Sequence, residues 1–129
     1  MLIKNIISFE QFKEYIEKYK YIIVNISAQW CKPCIAIKPH IEKFISVIDE
    51  SEYIYLKIDN SIYDEDSEFE DFFHLDKIPY FAFIKNGTII DNFVSGDFNI
   101  VSQRLFNNIT NERNEDKEKY NNLIINDDF

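Results

Sequence analysis

The sequence predicts an α/β fold in which a central mixed sheet of about five strands is flanked by about four helices. Two observations carry this. Apolar runs of strand length alternate with segments whose apolar residues recur at helical spacing, and late in the chain two strand runs follow each other directly, joined at Lys85-Asn86-Gly87, a hairpin signal. Strands separated by helices pair in parallel and a hairpin pairs antiparallel, so the sheet is mixed. The predicted order is βαβαβαββα.

The elements follow in turn. Leu2 to Ile7 is a short strand, and Ser8 opens S-F-E-Q, a capping box in which Ser8 and Gln11 satisfy each other's free N–H groups. Phe9, Phe12, Ile16 and Tyr19 then give a helix to about Lys20. Tyr21 to Ile26 is a near-continuous apolar run, expected of a strand buried on both faces. Ile35, Ile37, Ile41, Phe44, Ile45 and Ile48 mark a second helix, interrupted by Pro39, which removes a backbone hydrogen bond and should kink it. Tyr53 to Ile58 is the next strand, Phe69, Phe72 and Phe73 suggest a short third helix, and Tyr80 to Ile84 and Thr88 to Val94 form the hairpin. Asp97 or Asn99 caps a last helix whose inner face carries Val101, Leu105 and Ile109. The one compositional boundary falls near Thr110. Residues 1–109 form the domain, and residues 110–129 are an acidic, Asn-rich tail expected to be solvated disorder or a frayed helix, with Glu115 and Lys119 at ion-pair spacing.

Length and charge narrow the function classes. A chain of 129 residues has room for one domain and buries roughly two-thirds of its unfolded surface, so it needs no disulfide to be stable. At 46% hydrophobic and 16% aromatic it is not disordered as a whole. A net charge of −9 repels phosphate backbones and anionic lipid, which argues against nucleic acid and membrane surfaces as partners. No stretch is long enough to span a bilayer, and MLIKNIISFEQF lacks the apolar length of a signal peptide, so the expected location is the cytoplasm.

The only two cysteines lie in Trp30-Cys31-Lys32-Pro33-Cys34, directly behind the buried run. Where a helix begins, unpaired N–H groups and the macrodipole stabilise a thiolate, so Cys31 is the expected nucleophile, and Lys32 acts in the same direction. The two-residue spacing lets Cys34 attack a mixed disulfide formed at Cys31 and release the reduced partner. Pro33 suits the first turn because its missing N–H is not needed there. A zinc site is the competing reading; it would have to recruit His40 and His74, whose spacing does not suit it, so no metal or other cofactor is expected. Inert core cysteines are disfavoured at a strand-to-helix junction behind a Trp.

These residues resemble the thioredoxin family from Met1 to Ile109. The resemblance rests on A-Q-W-C-K-P-C after a buried strand, Pro39 in the following helix, K-I-D ending at Asp59, Ile78-Pro79 before a strand, K-N-G, and the positions of Gly87 and Gly96. It implies the thioredoxin fold, a cis peptide bond at Ile78-Pro79 packed against the cysteines, and an extended substrate pairing with the main chain of Ile78 beside a wall formed by Trp30. Three departures stand out. Asn25 occupies the place of the family's buried aspartate, Ser27 replaces an aromatic, and Lys32 replaces a glycine. The connection from Asp59 to Asp76 is also longer than usual and carries Asp64, Glu65, Asp66, Glu68, Glu70 and Asp71 without a Lys or Arg, which a solvated helix face explains more simply than selection of basic partners.

The expected function is reduction of protein disulfides by a monomer, with Cys31 as nucleophile, Cys34 as resolving thiol, Trp30, Lys32, Pro33 and Asn25 tuning the pair, and Trp30, Ile78 and Pro79 receiving substrate. Protein disulfides and a dithiol-regenerating reductase are the implied partners. The alternative is a thioredoxin-like adaptor with a slow or vestigial dithiol. An oxidase or isomerase of an oxidising compartment is disfavoured by the expected location.

Overall fold

A computed structural model describes residues 1–127, with side chains through residue 115. Along the chain come β1 (Leu2–Asn5), α1 (Phe9–Lys18), β2 (Tyr21–Ser27), α2 (Lys32–Ser46), β3 (Tyr53–Asp59), α3 (Asn60–Glu65), α4 (Ser67–Phe73), β4 (Tyr80–Lys85), β5 (Thr88–Val94) and α5 (Phe98–Asp127). The strands form one sheet in the order β1-β3-β2-β4-β5, parallel between β1, β3 and β2 and antiparallel from β2 through β4 to β5. This is the mixed five-stranded sheet expected. Asn86 and Gly87 both have positive φ (50° and 80°), the geometry a tight β4–β5 turn requires.

Because successive strand side chains point to opposite faces, β2 feeds two cores. Ile22, Val24 and Ile26 pack with Phe9 and Phe12 of α1, Tyr63 of α3, and Phe69 and Phe73 of α4. Tyr21 and Ile23 pack on the other face with Ile37, Ile41 and Ile45 of α2 and Val101, Leu105 and Ile109 of α5. Both faces of the central strands are therefore covered, and only the ends of the strands are left to build a site.

Several expectations are corrected. Five helices, not about four, are present among the described residues, because extended Asp66 separates α3 from α4 while its side chain accepts from Glu68 N–H (2.9 Å). Ser8 Oγ accepts from Gln11 N–H (3.1 Å), but Gln11 Oε1 accepts from Ile7 N–H (2.8 Å), so the capping box closes one residue early. Asp97, not Asn99, caps α5, accepting from Asn99 N–H (2.9 Å). Ile35, one of the apolar residues that mark α2, is exposed.

The boundary expected at Thr110 falls inside α5, which is helical to Asp127. Its continuation has a cause that composition does not reveal. Tyr21 Oη donates to Glu112 Oε2 (3.1 Å), Lys85 Nζ lies 2.7 Å from the same carboxylate, and Arg113 pairs with Glu50. Glu112 is buried, and Glu115 also reaches Lys85 (3.3 Å). Lys119, the expected partner of Glu115, has its side chain outside the described residues. No helix among the described residues is long and apolar enough to cross a membrane.

Candidate active site

Beyond β2 the chain turns sharply, with Cys31 N–H donating to the Ala28 carbonyl (3.2 Å), and this turn leaves Trp30 73% exposed. Cys31 is the N-cap of α2, with Lys32 and Pro33 at its first two positions. Its sulfur accepts from Cys34 N–H (3.3 Å), the geometry in which a helix start stabilises charge on that sulfur. Cys31 and Cys34 are joined in a disulfide, with Cα atoms 5.3 Å apart. Both are buried, at 6% and 4% exposure, while Trp30 beside them is open to solvent.

Two distant segments complete the setting. Ile78 packs against Ala28, Cys31 and Cys34, and the Ile78-Pro79 peptide bond is cis. The Pro79 carbonyl accepts from Ser95 N–H (3.2 Å). Next to Ser95, Gly96 lies so close to the dithiol loop that a Cβ there would come within 2.9 Å of Pro33 Cβ, a distance real side chains do not tolerate. Glycine is required at this position by the contact.

The thioredoxin family model matches residues 4–110. The chain belongs to the thioredoxin family. It is 32% identical to thioredoxin of Malassezia sympodialis over 90 residues, 70% of this chain and 83% of that protein. The crystal structure of the Malassezia thioredoxin superposes with a TM-score of 0.70 at 28% identity, covering 83% of this chain and 93% of that one. Monothiol glutaredoxin-4 of Saccharomyces cerevisiae is 33% identical over 78 residues, which is 60% of this chain but only 31% of that protein.

Against the thioredoxin pattern, Asn25 is half-buried, stands opposite Lys57 on β3, and donates through Nδ2 to the Tyr80 carbonyl (3.2 Å). Asn25, Ser27, Cys34, Lys38, Lys57 and Asp59 share a cavity of about 420 Å³ behind the disulfide. Lys57 is paired with Glu42 of α2, and Asp59 is engaged at the start of α3 by Ser61 N–H (3.0 Å) and Ser61 Oγ (2.6 Å). Sequence reasoning missed Lys57, Lys38 and Asp59 as neighbours of Cys34. One signal was available: Lys57 interrupts the buried run Tyr53 to Ile58, and parallel pairing of the two strands sets it beside Asn25.

On the other side of the disulfide a groove of about 520 Å³ runs between Trp30, Ile78 and the α3–α4 region, with Tyr63, Asp64, Glu70 and Asp76 on its walls. Tyr63 Oη donates to Glu70 and accepts from Leu75 N–H (3.2 Å). Burial, and then the Glu70 carboxylate, push the Tyr63 hydroxyl well above the ordinary phenol range, so it stays a neutral donor. His40 lies against Phe98 on the α2 side, and His74 ends α4 in a left-handed conformation on the opposite layer. The structure therefore does not bring the two histidines together with the cysteines.

Proposed function

We propose that this chain is a thiol–disulfide oxidoreductase that reduces protein disulfides, with Cys31 as nucleophile and Cys34 as resolving thiol. The observation that carries the reading is Cys31 at the α2 N-cap with Cys34 within bonding reach of it. In the dithiol form the Cys31 thiolate attacks one sulfur of a substrate disulfide, and the other substrate sulfur leaves as a thiolate and takes up a proton. Cys34 then loses its proton and attacks Cys31, releasing the second substrate thiol and closing the internal disulfide. Two electrons pass to the substrate, and a separate reductase returns them to the pair.

Trp30, Ile78 and Pro79 form the receiving surface: Ile78 lends main-chain groups to an extended substrate, and Trp30 is the exposed wall beside it. Lys32 and Pro33 tune the first turn of α2, and Asn25 tunes the cavity behind Cys34. One chain holds both sulfurs and both walls, so a monomer suffices. The reducing cytoplasm is the setting in which a dithiol of this kind works as a reductant.

The test is to trap partners on Cys34→Ser. With Cys31 free and no resolving thiol, mixed disulfides accumulate, and they disappear when Cys31→Ser is added. An empty trap beside a loaded thioredoxin control would reject the reductase and leave the adaptor reading.

A further inference from the structure

We propose that the groove beside Trp30 selects basic polypeptide segments, so that disulfides flanked by Lys or Arg are the preferred substrates. The inference rests on the reductase reading and specifies the substrate class of that site. Two independent features of the groove point to a cation. The first is charge. Among the described residues, Asp64, Glu70 and Asp76 line the groove against the single cation Lys77. No carboxylate between Asp59 and Asp76 takes part in an ion pair among the described residues, so their charge is not neutralised internally. The second is aromatic. Trp30 is 73% exposed, and no cation lies over its ring among the described residues, although Lys13, Lys18, Lys20 and Arg104 each cover another aromatic. An exposed indole ring is a receptor for a guanidinium or ammonium group, and Trp30 shares its groove with these carboxylates.

A solvated helix face accounts for only part of the acidic segment. Asp59 and Asp66 are capping residues, accepting from Ser61 and Glu68 N–H groups, and Glu65, Glu68 and Asp71 lie off the groove. Asp64, by contrast, faces the groove and receives only the side-chain amide of Asn60 (3.2 Å). The net charge of −9 adds long-range attraction for the same partners, which acts mainly on association.

The experiment compares two peptides that carry the same disulfide, flanked by Lys in one and by Glu in the other, with a small dithiol as electron donor. A preference for the Lys peptide of about tenfold in kcat/KM is expected at low ionic strength, shrinking severalfold in about 0.5 M salt as the charges are screened. In the double variant Asp64→Asn, Asp76→Asn the preference falls toward one. Equal kcat/KM for the two peptides on the parent, or a preference indifferent to both salt and the double variant, overturns the inference. A small neutral disulfide measured in parallel separates the two levels. If the parent reduces it while treating the peptides alike, only the charge selection falls; if the parent reduces neither it nor the peptides, the reductase reading falls and the inference with it.

Discussion

The tuning role proposed for Asn25 separates equilibrium from rate at the cysteine pair. A buried carboxylate beside two thiols makes a thiolate harder to form, so a neutral amide leaves the thiols more acidic and stabilises the reduced form. Asn25→Asp should therefore make the potential more negative, on the order of 30 mV for each 1.4 kcal/mol of differential stabilisation. The same change removes the donor to the Tyr80 carbonyl, so stability should also fall by about 1 kcal/mol. The rate moves the other way. Cys34 must lose a proton to resolve the mixed disulfide, and Asp59, the carboxylate already on its cavity, is committed to Ser61. A carboxylate at position 25 supplies a free acceptor, and disulfide reduction at pH 7 should speed up. Redox titration and turnover on a model disulfide check the two halves separately; unchanged turnover would mean that water or Asp59 already takes the proton.

Among the elements, α5 departs furthest from what composition suggests. Asn, Glu, Asp and Lys beyond Thr110 signal a solvated tail, yet Glu112 is buried and accepts from Tyr21, 91 residues earlier in the chain. Local composition cannot see such a partner. Ending the chain after Thr110 should leave Tyr21 Oη and Lys85 without that carboxylate and lower the thermal midpoint by about 5 °C. A truncated chain melting within a degree of the full one would show that the network contributes nothing. The strands and the cysteine turn were legible for the opposite reason: a two-sided buried strand and a cysteine pair behind it are written in contiguous residues, Tyr21 to Cys34. The division of the third helix was not, because Asp66 is also an acceptable helix residue until its side chain turns to cap Glu68.

At the scale of the whole molecule, α5 is clamped to the edge of the sheet. Arg104 forms two hydrogen bonds to Asp91 of β5 (2.7 and 3.1 Å) and lies over the Phe93 ring, while Asn108 donates to the same carboxylate (2.9 Å). Partial burial pushes the Asp91 carboxyl up, but Arg104 and Asn108 outweigh it and hold its pKa below the ordinary 3.8. A carboxyl with a depressed folded value stabilises the fold above its unfolded value, and that contribution is lost as pH falls through the folded one. Arg104 is well exposed, so solvent screening limits the contribution to about 0.5 kcal/mol. Asp91→Asn should be less stable than the parent by this amount at pH 7 in denaturant titration, with the gap closing as pH falls below the ordinary carboxylate range. A gap independent of pH would assign the loss to packing. Charge patterning along β5 does not disclose this clamp, because it depends on where α5 crosses the sheet.

The contact between Gly96 and Pro33, with Ser95 holding the Pro79 carbonyl, bears on how the protein is made. The two sulfurs sit three residues apart and can meet as soon as that stretch of chain has left the ribosome. The receiving surface proposed above needs residues 78–79 and 95–96 as well, so it is complete only after residue 96 has been added. During that interval the growing chain carries both sulfurs without the surface proposed to hold a protein partner.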